Sequence, residues 1–363
     1  VLLVAVLLGT VDAKYLDYLK GLIAAAATLL IFLRDSGRAG RRAYLIGLGI
    51  LSSLAWLVYL NFFSFQGNGT FLHNHDIAHY YLGSKYFREV GYSDLYTALV
   101  RAEGEVYQNH FASPLVRELD TNVPVPIGVL LSKSDTVRAR FSAERWADFC
   151  RDMTYFHEAM GPHYAEILMD HGFNPSPLWA FFGGWLANRV PAGSYAGIAA
   201  LACLDPLLVT GLFVAVGWAF GLETLLLCMI YFCVFYGASF GWIGGAFMRY
   251  IWLFGIVVGL CFLERGRPAG AGTLFGIATA LRLSPAAFVL ALGCKAVTAR
   301  RPERHHLRFL AAFAATGFLL LAVTLPWHRG WENWQEFRER QKEPATETVV
   351  AAAGESAPFV GGL

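Results

Sequence analysis

Charge is scarce in this chain. Only 15% of its 363 residues are Asp, Glu, Lys or Arg, against about a quarter in ordinary soluble domains. The 29 basic and 27 acidic side chains nearly cancel, to a net +2. That balance excludes a nucleic-acid partner, which needs a surplus of basic side chains against the phosphates. Cysteine is sparse too. Cys203, Cys228, Cys233, Cys261 and Cys294 fall in apolar runs, and Cys150 stands alone in the long polar stretch. No Cys-x-x-Cys pair occurs, so neither a disulfide framework nor a thiolate metal site is expected. These thiols read as small packing residues. A glycine-rich phosphate loop, a Gly-x-Ser-x-Gly elbow and a dinucleotide fingerprint are all missing. No internal inverted repeat is visible, which argues against a transporter.

What is present is apolar, 56% of the chain. It is gathered into runs of about 17–25 residues, the length that crosses a hydrocarbon core as helix. Spanning segments must be helical, because backbone polar groups in lipid need internal partners. The expected class is an all-α polytopic membrane protein, with a long extracytoplasmic loop carrying amphipathic helices. The runs are 19–33, 44–63, 196–220, 222–238, 242–263, 273–293 and 309–325. Residues 1–10 are apolar but short, and read as a signal remnant or part of a first span. The 34–42 loop carries Arg34, Arg38, Arg41 and Arg42 against Asp35. Basic loops mark the cytoplasmic side, as do the blocks at 264–268 and 295–308.

This orientation divides the chain into 1–63, N-terminal membrane helices; 64–175, an extracytoplasmic loop domain; 176–325, a membrane bundle; and 326–363, an amphipathic segment and tail. Arg282-Leu283-Ser284-Pro285 breaks the 273–293 run into a helix pair. Residues 178–187 are too short to span at about 1.5 Å per residue, so both their ends belong near the outer face. Within the loop, 78–90 and 143–160 have helical spacing, and 120–134, with Pro124 and Pro126, reads as extended or irregular. Asn68-Gly69-Thr70 is a glycosylation sequon, relevant only in a secretory pathway. On this count the 64–175 loop, the 237–242 turn and the 326–342 segment meet on one side.

The stretch with most chemistry begins just past the second run: His73-Asn-His-Asp-Ile-Ala-His-Tyr-Tyr-Leu-Gly-Ser-Lys85. Asp76, at a water–membrane boundary, is placed to act as a general base, or as an acidic residue at a helix N-terminus. His75 and His79 share a helix face at i, i+4, with His73 nearby. Zinc needs three or four ligands and no His-Glu-x-x-His is present, so no metal site is assigned; a divalent metal on these histidines stays a secondary reading. Arg249 and Arg282 lie in apolar surroundings, where an arginine faces a cavity or an anion; a forked guanidinium suits a lipid phosphate. Snorkelling to the interface is the alternative. Asp205, also within an apolar run, is a possible structural partner for either arginine. The cluster Trp327, Trp331 and Trp334 reads as an interfacial anchor, or as a sugar-stacking or lid element.

In order along the chain, Asp76-x-x-x-Tyr80-Tyr81-x-Gly83, Gly91-Tyr-Ser-Asp-Leu-Tyr96, Pro175-Ser-Pro-Leu178, the Leu281–Pro285 break and Gly330-x-x-x-Trp334-x-x-Phe337 resemble the GT-C superfamily of membrane glycosyltransferases. The resemblance is strongest to the polyprenyl-phosphate-mannose-dependent mannosyltransferases, and it covers most of 44–340. It implies a GT-C-like helical bundle in a membrane such as the bacterial inner membrane. It also implies transfer of a sugar from a polyprenyl phosphate to an extracytoplasmic hydroxyl, with inversion. Asp76 would then be the base, and Arg282 or Arg249 would hold the donor phosphate. His79, Tyr80, Lys85 and Trp331 are further candidates for substrate contact. The lipid-linked sugar is substrate, and no resident cofactor is implied. Asp76 is flanked by His75 where a second acid would fit the pattern. The alternative is a non-catalytic membrane subunit that uses this scaffold to pack against protein partners and lipids.

Overall fold

The computed structural model of the chain describes residues 13–65, 70–298 and 303–341. The 1–10 segment, the sequon's Asn68 and the tail beyond 341 lie outside the described residues. Two long helices come first, α1 (Ala13–Asp35) and α2 (Arg41–Tyr59). They are joined through the arginine-rich turn, where Gly37 takes a left-handed φ of 73°. A 3-10 turn at Asn61–Phe63 leaves the bundle for the extramembrane body.

That body is built from α3 (Asn74–Lys85), α4 (Phe87–Val90), α5 (Leu95–Val106), a two-stranded hairpin, α6 (Ile127–Arg138), α7 (Ala143–Met160) and α8 (Tyr164–Ile167). The helix expected over 78–90 is present but breaks at Tyr86, and the one expected over 143–160 is α7. The extended reading of 120–134 is only partly right. β1 (Leu115–Glu118) pairs antiparallel with β2 (Val123–Pro126), Val116 opposite Val125, and α6 starts directly after Pro126. Proline's fixed φ is compatible with an edge strand and with a helix entry, so Pro124 and Pro126 were compatible with both. The core of this body is aromatic: Tyr81, Tyr86, Tyr92, Tyr96, Phe149, Phe156, Tyr164 and Phe173 are fully buried.

The short 178–187 segment is α9 (Pro177–Ala187). It packs on α3 so closely that a Cβ on Gly184 would sit 2.6 Å from the Ser84 carbonyl oxygen. Its main contact is therefore with α3 of the extramembrane body, with smaller contacts to the helices at Pro268–Leu281 and Arg304–Thr324. Then follow α10 (Tyr195–Ala202), α11 (Leu204–Phe220) and α12 (Leu222–Val234), with α13 (Phe240–Ile243) a single turn. The expected span at 242–263 is shorter than its hydropathy suggested. Residues 244–250 are irregular, and α14 starts at Ile251 and ends at Glu264. Gly245 and Met248 both take positive φ there, 69° and 53°, which a continuous helix cannot accommodate. α15 (Pro268–Leu281) and α16 (Ala286–Thr298) form the expected broken pair, and α17 (Arg304–Thr324) and α18 (Trp331–Arg340) close the chain.

Tyr15–Asp35, Arg41–Tyr59, Tyr195–Phe220 through Cys203, and Arg304–Thr324 are long and apolar enough to cross a membrane. Their outward faces carry large exposed apolar side chains, among them Leu22, Phe32, Ile50, Val214, Phe318 and Leu319. In water such faces would be aggregation surfaces; against lipid tails they cost nothing. This is a mainly helical integral membrane protein.

With lipid on both sides, helices gain little by hiding apolar surface from one another, and close backbone approach takes over. Two Gly-x-x-x-Gly stripes supply it. Gly255 and Gly259 of α14 face Leu274, Ala278 and Phe275 of α15, while Gly272 and Gly276 of α15 face Phe309, Phe313 and Thr316 of α17. A side chain at Gly272 would collide with the Phe309 carbonyl oxygen, which is backbone and cannot rotate away. Gly272→Leu is therefore expected to pry α17 from α15 and lower the thermal unfolding midpoint in detergent. Gly293→Leu, which meets open space, should leave that midpoint unchanged.

Candidate functional site

α3 begins at the junction of body and bundle, and its first turn carries the site. The N-cap is His73, whose Nδ1 accepts the Asp76 backbone N–H at 3.3 Å. Burial, then the Arg249 guanidinium, push the His73 pKa down to about 4, so the ring stays neutral and Nδ1 remains an acceptor. Because His73 does the capping, the Asp76 carboxylate is left for another partner. It forms an ion pair with Arg249 and is 16% exposed at the wall of an open cavity of about 520 Å³. His73, His75, Glu166, Met169, Asp170 and Arg249 complete that wall.

Arg249 reaches Asp76 because of the irregular 244–250 segment. The His73 N–H donates to the Gly245 carbonyl at 3.1 Å, and the Tyr250 N–H donates to the Asp205 carboxylate at 3.2 Å. Asp205 is thus bound to backbone at the start of α14, and the arginine partner considered for it is instead taken by Asp76. Gly245 is needed twice over, for its φ of 69° and because a Cβ there would strike the Phe71 carbonyl oxygen. Gly245→Ala should destabilise the fold by at least about 1–2 kcal/mol from backbone conformation alone and withdraw Arg249 from Asp76. Denaturant unfolding measures the first effect.

A second cavity, about 330 Å³, opens on the other side of Arg249. Arg249 and Arg282 supply its positive charge. Tyr80, Trp179, Met248, Trp252 and Leu283 make much of the remaining wall, with Phe337 and Gln341 of the C-terminal segment closing one edge. Arg282 follows α15 directly, in extended backbone, and its guanidinium lies 5.2 Å from the Trp252 ring centre, a cation–π contact. Among the described residues, Arg249 is the one that lines both cavities.

The structure thus brings together Asp76, Arg249, Arg282 and Tyr80. Three other candidates lie elsewhere. Lys85 is buried beneath the extramembrane body. Its ammonium meets the Asp152 carboxylate at 2.8 Å, and burial outweighs that pairing to lower its pKa. It cannot contact a substrate. Trp331 is 56% exposed on α18; Phe337, two turns on, takes the cavity position expected for it. His79 is buried one turn beyond Asp76 and faces His75 and Asp170.

Asp170 was not identifiable beforehand. It lies 95 residues beyond His75, yet its carboxylate is 3.1 Å from His75 Nε2 and 3.8 Å from His79 Nδ1. Burial raises its pKa, but the hydrogen bond with His75, the nearby His79 and the His171 N–H together hold it below the usual carboxylate range. His75, His79 and Asp170 are the group of described residues whose ligand atoms converge closely enough to hold a metal ion. Trp252 carries no mark of a cavity in the sequence, and Phe337 stands there only as the last residue of the Gly330–Phe337 pattern, since aromatic residues in apolar or amphipathic runs do not announce a cavity.

Comparison with family models, curated proteins and solved structures found no match.

Proposed function

We propose that this protein transfers a sugar from a polyprenyl-phosphate donor to an acceptor hydroxyl outside the cytoplasm, with inversion, in the manner of GT-C membrane glycosyltransferases. The observation that carries this reading is the place of Arg249, paired to Asp76 on one side and lining a doubly cationic cavity of mixed apolar and polar walls on the other. A lipid phosphate needs such a cavity: apolar walls for the first isoprenoid units, and forked guanidinium donors for the phosphate oxygens. A carboxylate at the adjoining rim suits the acceptor.

The chemistry follows from that arrangement. Donor phosphate entering beside Arg282 competes with Asp76 for the Arg249 guanidinium. Once released, the Asp76 carboxylate takes the proton of the acceptor hydroxyl. The acceptor oxygen bonds to the anomeric carbon from the face opposite the phosphate, the carbon–oxygen bond to phosphate breaks, and the phosphate departs with the electron pair. Both arginines balance the charge it gains. Paired as it is in the free protein, Asp76 is a base that the donor itself unmasks.

The test is transfer from radiolabelled polyprenyl-phosphate mannose by purified protein in liposomes supplied with a membrane acceptor extract. Arg282→Gln is expected to raise the KM for the lipid donor about 10–100-fold, the worth of one charge-assisted hydrogen bond. No turnover by the wild-type protein with any polyprenyl-phosphate sugar, or an unchanged KM in the variant, overturns the proposal. The Asp76–Arg249 pair also supports a second reading, a non-catalytic subunit in which the pair only fastens the 244–250 segment to α3.

A further inference from the structure

We propose that His75, His79 and Asp170 form a binding site for a divalent cation of the zinc class, open on one side to the cavity beside Asp76. Imidazole nitrogens with one carboxylate select zinc and its borderline neighbours over magnesium or calcium, which prefer all-oxygen shells.

The geometry is close to that of a coordination shell. Ligand atoms about 2.0–2.2 Å from a tetrahedral zinc stand roughly 3.3–3.5 Å apart. Asp170 Oδ2 lies 3.1 Å from His75 Nε2 and 3.8 Å from His79 Nδ1, and the three ligand atoms all fall within 4.8 Å of one another. Side-chain shifts of under about 1 Å would close the set. His75 and His79 share one face of α3, and Asp170 arrives from the segment after α8.

The partners behind the ligands match what metal sites require. A metal-bound histidine usually has its far nitrogen held by a hydrogen bond. His79 Nε2 lies 2.8 Å from the Tyr96 hydroxyl and 3.3 Å from the Ile167 carbonyl. That hydroxyl is itself fixed, accepting the Gly172 N–H at 3.0 Å. Asp170 is held likewise, its Oδ1 accepting the His171 N–H at 2.8 Å.

The Tyr96 hydroxyl can donate or accept, so it suits either tautomer of His79. With no metal, Nδ1–H donates to the His75 carbonyl at 3.0 Å and Nε2 accepts the Tyr96 proton at 2.8 Å. With a metal, Nε2–H donates to the Tyr96 hydroxyl and the Nδ1 lone pair is released for the cation, in a side chain that is 3% exposed.

The fourth position faces the cavity lined by Asp76, Glu166, His73 and Arg249, where water has room. This is the open shell of a site that can hold an exchangeable ligand. Asp76 and Glu166 offset the dication near Arg249.

The experiment uses tag-free, detergent-purified protein, stripped with chelator and titrated with Co²⁺, followed by competition with Zn²⁺. Four-coordinate Co²⁺ absorbs visibly. The expected result is one equivalent of such absorption, displaced by Zn²⁺. His75→Ala and Asp170→Asn, at partly exposed positions, should each weaken binding at least about 100-fold, since each removes a ligand. His163→Ala, at an exposed histidine outside the cluster, should leave it unchanged. Absence of a stoichiometric band in the wild type, or equal affinity in wild type, His75→Ala and Asp170→Asn, overturns the site. Binding is read without any glycosyl donor, so loss of the transferase proposal and loss of the metal proposal are separate outcomes.

Discussion

Asp76→Asn is expected to lower the turnover number for sugar transfer by about 10²–10⁴-fold, the range for removal of a general base, while donor KM changes little. Asparagine keeps the shape of the side chain and an oxygen for the Arg249 guanidinium, so α3 and the 244–250 segment should stay in place. Arg249→Gln is expected to act differently. It removes a phosphate contact and leaves Asp76 permanently unmasked, so KM should rise while the pH dependence of turnover persists. Transfer kinetics across pH, with size-exclusion profiles as the folding control, separate the two. If Asp76→Asn transfers sugar at the wild-type rate, the catalytic reading fails and the pair is a fastening, as in the subunit reading.

The second large effect concerns stability. Asp152→Ala is expected to destabilise the extramembrane body by about 3–5 kcal/mol, the cost of breaking a buried ion pair from one side. Asp152 is 2% exposed. It accepts from the Lys85 ammonium at 2.8 Å, the Tyr86 hydroxyl at 2.7 Å, the Tyr81 hydroxyl at 3.2 Å and the Gly193 N–H at 2.8 Å. Truncation leaves the ammonium with only neutral partners, the Tyr81 hydroxyl and the Val190 carbonyl, and takes the acceptor from the Tyr86 hydroxyl and the Gly193 N–H. Lys85→Met combined with Asp152→Leu should cost less than Asp152→Ala alone, because no charge is then left behind. Denaturant unfolding of all three proteins checks the order; the proposal is sunk if Asp152→Ala is the mildest. Lys85 is therefore predicted to govern folding and to have no part in sugar transfer.

The difference between Lys85 and Arg249 shows what residue type reveals and what it conceals. Both are cations near apolar sequence, and either is a plausible substrate contact by type. Lys85 is buried under a domain whose packing depends on α7 and the Gly193 loop, far along the chain. Arg249 reaches Asp76 only because 244–250 declines to be helical, and hydropathy averages over a window too wide to see seven irregular residues. The two Gly-x-x-x-Gly stripes are also in the letters, but the same spacing recurs at 193/197, 217/221 and 266/270, so only the coordinates show which pairs face another helix.

By its composition alone the chain determines that it is helical and held in a membrane. Long apolar runs leave the backbone no other way to satisfy its hydrogen bonds, and Ser284-Pro285 ends one helix wherever that helix packs. The order of the arginine-rich turns likewise predicts which loops share a face. Only the tertiary structure decides that His73 caps α3 and frees Asp76, that Asp170 closes on His75 and His79 from 95 residues away, and that Arg249 stands between two cavities. The reason is one of range. Helix formation and membrane partition are set by neighbours within a few turns, whereas a site is a meeting of side chains whose separation along the chain carries no record of their separation in space.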